Sequence, residues 1–422
     1  MGPTKRIALV VQRYGDEING GAEVLARMLA ERLAASFHVE VLTSCALNYS
    51  DWAMHYPPGA SEVRGVRVLR FAHPLRNDIG RARVALPHKL RFKLRALLRR
   101  LPGAQVAAPR GDSFYDGRDF LRRQGPHCEG LMQHLRESGA RYDAVIFFGA
   151  LYEPAALGVE AWGPRSVLVP LLHDEKPMYQ PVYGEVLRKA GAIVFNTDAE
   201  RRLAAKMYGI DTQGAPVAGV GVEITPPTPA AVAQVLAKYG LQPGYLVYVG
   251  RIDVSKGCRQ LFAAFLKHAQ HQPTARLVLV GKAVMAVPEH PRILSTGFVS
   301  DAERDALIAA ASALVIPSRY ESLSLVLLEA MLLRTPVIAN AHCEVLADHI
   351  QDSAAGLAYR STGDLVRAMR RVQTLAPAER QAWADRGAAY VQRSCSWPQV
   401  LQQYTDAVNA VSLLPKAALQ PG

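Results

Sequence analysis

Short apolar runs recur along the first half of the chain, at residues 7–11, 40–43, 66–71, 144–148, 166–172 and 192–195, separated by stretches of helical periodicity such as 22–33. Strands that alternate with helices predict a parallel, doubly wound α/β sheet. The rhythm breaks at the proline-rich stretch Ile224-Thr225-Pro226-Pro227-Thr228-Pro229 and resumes after Pro243-Gly244. Strands are then predicted at 245–249, 276–280, 293–298, 313–316 and 336–339. The pattern predicts two Rossmann-like domains, over 1–222 and 244–394, with a linker and one helix at 223–243. A last amphipathic helix is expected within 395–415, on the apolar positions Val400, Leu401, Tyr404, Val408 and Val411, with a frayed tail over 416–422.

A length of 422 residues exceeds what one core organises, which agrees with two domains. Hydrophobic residues at 50% and charged residues at 20% exclude a disordered chain. The five cysteines are scattered and lack any C-x-x-C spacing, which argues against a disulfide scaffold or a structural zinc site and fits a reducing, cytoplasmic setting. No apolar run approaches the ~18 residues that cross a bilayer, and the run at 7–11 is too short for a signal-peptide core.

The net charge of +12 is concentrated. Between residues 81 and 123 lie twelve Arg and Lys against three Asp. Leu90, Leu94, Leu97, Leu98 and Leu101 recur there at helical spacing among the cations, which predicts a basic helical insertion over about 77–123. Such a helix suits two settings, packed on its domain as an ordinary solvated helix or lying on the anionic inner face of a membrane. Sparse aromatics and the absence of a recognisable binding module exclude a nucleic-acid role.

The candidate chemistry gathers at predicted strand ends. Glu321-Ser322-Leu323-Ser324-Leu325 and Glu329 form an E-x7-E pair that starts just after the strand at 313–316. Open α/β sheets bind ligands beyond the carboxyl ends of their strands, so Glu321 is expected there, with Ser322 or Ser324 capping the following helix and its amides free for an anion. Glu329 lies about two turns into that helix among Leu325, Leu328 and Met331, where an acid needs a partner such as a ribose diol. Gly250-Arg251 and Lys256 follow the strand at 245–249 and supply two cations for a leaving diphosphate. No D-x-D pair and no His/Asp cluster offers a metal site, which favours the cationic solution and no cofactor.

In the first half, Gly20-Gly21 precede the helix at 22–33 and permit close backbone approach to a phosphate or sugar. His173-Asp174 ends the strand at 166–172, and Glu153 follows Phe147-Phe148-Gly149, where it is a candidate for holding an acceptor hydroxyl. A G-x-G-x-x-G fingerprint is missing after either first strand, which disfavours a nicotinamide dehydrogenase.

Together these motifs resemble the family 4 glycosyltransferases of GT-B fold, most densely from Tyr245 to Asn340, where Gly250-Arg251, Lys256, Gly281, Gly297-Phe298-Val299, Pro317-Ser318, Glu321, Glu329-Ala330-Met331 and Pro336-Val337-Ile338-Ala339 follow the family's order. The resemblance implies two Rossmann-like domains facing a deep cleft and a retaining, metal-independent transfer from a nucleoside diphosphate sugar. It implies that Arg251 and Lys256 grip the diphosphate, Glu329 the ribose and Glu321 the sugar, while Phe298 and Val299 lie at the base. Gly21 would lie near phosphate and acceptor, His173 near the sugar, and Gly20 and Asp174 on the acceptor side. The segments His55-Tyr56-Pro57-Pro58-Gly59 and Leu172-His173-Asp174-Glu175 resemble those of bacterial cell-surface transferases, which implies a lipid-linked or oligosaccharide acceptor, with the basic segment at the inner membrane face. A sugar-nucleotide 2-epimerase and a non-catalytic scaffold share the fold and stand as alternatives. Arg334 replaces the family's usual glycine before Thr335-Pro336, so the E-x7-E helix is expected to close without the usual left-handed cap.

Overall fold

The computed structural model describes residues 5–75, 117–138 and 141–415. The chain divides into two compact units, one formed by residues up to Gly219 together with those from Pro398, the other by Val220–Trp397.

In unit 1, β1 (Arg6–Val10), β2 (His38–Ser44), β3 (Gly59–Val63), β4 (Val66–Phe71), β5 (Ala144–Phe148), β6 (Ser166–Val169) and β7 (Ala192–Ile193) form one seven-stranded sheet in the order β3-β4-β2-β1-β5-β6-β7. All pairings are parallel except the β3–β4 hairpin. The central strand β5, Ala-Val-Ile-Phe-Phe, is buried at every position, as a parallel strand covered on both faces requires. The hairpin strand β3 was not expected, because Gly-Ala-Ser-Glu-Val is exposed and carries no apolar run. Its signal is the turn Arg64-Gly65, both at positive φ (48° and 79°), the geometry of a tight hairpin.

The unit 1 helices are α1 (Gly21–Leu33), α2 (Gly117–Gln124), α3 (Glu129–Ser138), α4 (Glu153–Trp162), α5 (Pro181–Lys189) and α6 (Asp198–Tyr208). The leucine-striped part of the expected basic insertion lies outside the described residues, whereas its last residues belong to α2, whose Leu121 is buried in the unit 1 core.

Unit 2 contains α7 (Pro229–Tyr239), β8 (Leu246–Val249), α8 (Cys258–His271), β9 (Leu277–Val280), β10 (Ile293–Gly297), α9 (Asp301–Ala309), β11 (Ala313–Ile316), α10 (Leu325–Leu332), β12 (Val337–Asn340), α11 (Glu344–Ser353), β13 (Gly356–Tyr359), α12 (Thr362–Gln373) and α13 (Pro377–Ser394). Its six strands are all parallel in the order β10-β9-β8-β11-β12-β13. β8 and β11, adjacent in the sheet, are apolar and buried because helices cover both faces. The short edge strand β13 was not foreseen.

The last helix, α14 (Trp397–Ser412), is tied to unit 1 by Lys5, whose Nζ donates to Asn409 Oδ1 (2.7 Å) and Ser412 Oγ (2.8 Å). Among the described residues no helix is long and apolar enough to cross a membrane.

Candidate functional site

The strand order of unit 2 reverses between β8 and β11, and a doubly wound sheet binds ligands beyond the carboxyl ends of its strands at that point. The loop after β8 carries Gly250, Arg251 and Lys256, and the loop after β11 carries Glu321 through Ser324. These loops touch. A Cβ on Gly257, which has φ +80°, would lie 2.3 Å from the Pro317 carbonyl oxygen, so only glycine lets the two backbones meet.

Across that contact, Lys256 Nζ donates to Glu321 Oε1 at 2.8 Å. Arg251 is held within its own loop, where its Nε pairs with Asp253 Oδ2 at 2.9 Å. Asp253 also accepts the Ser255 amide at 2.7 Å, and these bonds outweigh burial and hold its carboxyl below the usual range. The Tyr248 hydroxyl donates to the Arg251 carbonyl at 2.7 Å and lies within electrostatic reach of both Glu321 and Arg251. One loop thus presents two cations with a carboxylate between the strand ends.

The start of α10 corrects the expected serine cap. Ser324 occupies the N-cap position, but its backbone is left-handed (φ 67°, ψ 69°) and its hydroxyl caps no amide, because side-chain capping needs an extended N-cap backbone. The buried Ser324 Oγ has no hydrogen-bond partner among the described residues. A non-glycine residue held in this conformation carries strain, and such strain concentrates at ligand-binding positions.

The loop is braced from behind by residues the sequence reading missed. Asn340 Nδ2 donates to the Pro317 carbonyl (3.0 Å), and His349 Nε2 lies 3.0 Å from the Leu323 carbonyl. His349 Nδ1 lies 2.7 Å from the Tyr390 hydroxyl. A carbonyl can only accept, so Nε2 carries the proton and Nδ1 accepts from Tyr390; burial lowers the ring's pKa and keeps it neutral.

Glu329 faces Arg304 of α9, with Nη2 3.5 Å from Oε1, where the sequence suggested only a ligand as its partner. Burial pushes the Glu329 carboxyl up and Arg304 opposes that shift. At the same edge Phe298 is 71% exposed, and Val254, Val284 and Tyr320 are exposed nearby in the loops after β8, β9 and β11. Val299 follows Phe298 on the way to α9, and Leu323 is buried while Leu325 opens α10.

The α10 C-terminus overturns another expectation. Arg334 itself adopts the left-handed conformation (φ 63°). Its amide donates to Met331 (3.1 Å) and the Thr335 amide to Ala330 (2.9 Å), the paired bonds of a Schellman closure. The helix closes in the usual way with a strained arginine in place of glycine.

In unit 1 the strand order reverses between β1 and β5. Gly20 is the N-cap of α1, and a Cβ there would lie 2.1 Å from Glu23 Oε2; one on Gly21 would meet nothing within 4 Å. Glu23 is buried and accepts from Gln12 Nε2 and Arg13 Nε, both at 2.9 Å, a network that the sequence did not reveal. Glu153, expected to meet an acceptor hydroxyl, is 2% exposed, and its Oε1 is bonded to His127 Nδ1 at 2.7 Å. His127 is the more accessible partner, at 23%, and the bond to Glu153 raises its pKa.

His173 follows β6 and lies 3.4 Å from Glu175, while Asp174 accepts from the Tyr179 hydroxyl. The turn before it is strained at Leu171 (φ 55°) and held by Glu200, which accepts the Leu172 and Asn196 amides, each at 2.7 Å.

Comparison with known proteins agrees with this architecture. Residues 20–221 match the glycosyl transferase 4-like domain and residues 243–374 the domain named glycosyl transferases group 1. The chain is 31% identical to a D-inositol 3-phosphate glycosyltransferase of Pseudarthrobacter chlorophenolicus, over 80% of this chain and 79% of that protein. It is 29% identical to the enzyme of the same name from Segniliparus rotundus, over 56% of this chain and 57% of the relative's length. Among solved structures, sucrose-phosphate synthase of Thermosynechococcus elongatus has a TM-score of 0.66 at 19% identity, with 96% of this chain and 98% of that chain covered. Anabaena HepE in complex with UDP and glucose has a TM-score of 0.66 at 16% identity, with 96% and 99% covered. These neighbours share the GT-B fold. The chain therefore belongs to the group 1, family 4 glycosyltransferases and is a glycosyltransferase.

Proposed function

We propose that the protein transfers a sugar, with retention and without a metal, from a nucleoside diphosphate donor bound on unit 2, uracil being the first base to test, to a hydroxyl of a lipid-linked or oligosaccharide acceptor. The observation that carries this reading is the Lys256–Glu321 pair (2.8 Å) at the point where the unit 2 strand order reverses. UDP in a structural neighbour supports the choice of base.

In the proposed step the bond from the sugar's anomeric carbon to the diphosphate oxygen breaks, and the acceptor oxygen bonds to the same face of that carbon. The acceptor proton passes to the departing phosphate. Lys256 and Arg251 stabilise the charge that develops on the leaving diphosphate, a task for fixed cations in a site shielded from water. The amides at the start of α10, left uncapped by Ser324, add to this stabilisation. Glu321 accepts hydrogen bonds from the sugar hydroxyls, Phe298 and Val299 border the base, and Glu329 takes the ribose. On unit 1, Gly20, Gly21, His173 and Asp174 serve the acceptor and the transferred sugar, and the basic segment brings the enzyme to the inner membrane face.

The test is turnover of UDP-sugars with a lipid-linked glycan acceptor and, in parallel, with inositol phosphate, the acceptor in the relatives' names. Arg251→Ala and Glu321→Ala should each lower kcat by about a hundredfold or more with unchanged melting temperature. Full turnover in both variants would reject the assignment, and epimerised donor recovered in the absence of any acceptor would indicate the 2-epimerase instead.

A further inference from the structure

Arg304 belongs to none of the motifs described above, yet it is the group of opposite charge nearest to Glu329. The capping box of Ser300 and Glu303 starts α9 and brings Arg304 onto the helix's first turn. There its Nη1 bonds Asp301 Oδ1 at 2.9 Å and its Nη2 reaches Asp305 Oδ1 at 2.9 Å, so two carboxylates of its own helix fix the guanidinium. Nη2 stands 3.5 Å from Glu329 Oε1, at ion-pair range but beyond a short hydrogen bond. Among the described residues neither Glu329 oxygen receives a hydrogen bond. The side chain is only 18% exposed, and a carboxylate so enclosed ordinarily has donors.

We propose that Arg304 is a positioning residue that holds the Glu329 carboxylate in place to receive the two hydroxyls of a nucleotide ribose; this rests on the reading of unit 2 as the donor site. The guanidinium attracts the carboxylate without occupying its lone pairs, leaving two acceptors for two neighbouring donors. Burial presses the Glu329 carboxyl toward its neutral form, Asp305 and Asp301 add to that, and the Arg304 charge opposes them. Without it, burial and the nearby Asp305 and Asp301 charges are left to favour the neutral form of Glu329. A neutral carboxyl keeps one oxygen as a donor and loses one of the two diol contacts.

The experiment is calorimetric titration of the full chain with UDP and with 2′-deoxy-UDP. The unsubstituted protein should prefer UDP by about tenfold, the worth of one hydrogen bond to a charged group. Arg304→Met and Glu329→Gln should each reduce that preference to about twofold or less by weakening UDP alone, and combining them should add little further. Arg304→Lys, which keeps the charge, should restore much of the preference, and it carries the test if the Met variant is unstable.

Equal weakening of both nucleotides in the Arg304 variants, or a Lys variant no more selective than Met, would overturn the positioning role while leaving the donor site intact. Equal binding of the two nucleotides by the unsubstituted protein would remove the ribose contact of Glu329 itself, and the proposal with it. An absence of binding by UDP and by every other nucleoside diphosphate tried would instead reject the donor-site reading on which both depend.

Discussion

Glu200 is a buried acid of unit 1, only 1% exposed. Burial pushes its carboxyl up to about 7, against the opposing pull of the Asn196 and Leu172 amides and the charge of His173. An acid whose folded pKa lies above its ordinary 4.5 favours the fold fully below that value, and the contribution is lost as pH rises toward 7. Glu200 is therefore expected to remove about 3 kcal/mol of unit 1 stability between these limits. Urea unfolding at pH 5 and pH 8 checks this: the decline should be present in the unsubstituted chain and absent in Glu200→Gln. His349 acts by a different route, since it joins Tyr390 to the Leu323 carbonyl through one neutral ring. His349→Ala removes this partner from the Leu323 carbonyl and from the half-buried Tyr390 hydroxyl, which should cost about 2 kcal/mol in chemical denaturation and weaken nucleotide binding. None of these partnerships was legible in the sequence. Glu200, Arg304 and His349 stand in helices where periodicity marks only which face is buried, and each has a partner far away in the chain, Leu172, Glu329 and Leu323 respectively.

At the scale of elements, α10 is short and apolar, and both of its ends depart from regular geometry. Its start is a left-handed Ser324 without a side-chain cap, and its end is a left-handed Arg334. The two departures differ in kind. The start stands at the Lys256–Glu321 pair, where uncapped amides and strain suit the proposed donor site, whereas Arg334 pairs at the surface with Asp385 and stands apart from that cluster. Arg334→Gly should therefore raise stability by about 1 kcal/mol, read as a higher melting temperature, with transfer unchanged. The central strands were legible because parallel pairing buries both faces and writes a continuous apolar run. β3 and β13 were not, since an exposed hairpin strand and a four-residue edge strand carry no such run. The cap at Arg334 was misjudged for a related reason: residue identity suggested a different closure, but the hydrogen bonds of the Schellman turn outweigh the side chain's preference.

At the scale of the whole molecule, two unlike sequences build the same sheet order, with unit 1 adding one antiparallel edge strand. This repetition explains why function was easier to read than contacts. Once strands and helices alternate, ligand chemistry is confined to loops at the carboxyl ends, and Gly250 to Lys256 and Glu321 to Ser324 fall there. Unit 1 yields less to the same reasoning, because Glu23 and Glu153 stand in the first turns of α1 and α4 but are buried in networks of their own. The central claim is that unit 2 traps a diphosphate with fixed cations, and its most direct test is calorimetric titration of the full chain with UDP in the presence of a chelator. The account predicts saturable binding under these conditions and at least about tenfold weaker binding in Lys256→Ala, because the loss of one charge-assisted contact is worth that much. Binding that vanishes with the chelator, or that is indifferent to Lys256, would contradict it.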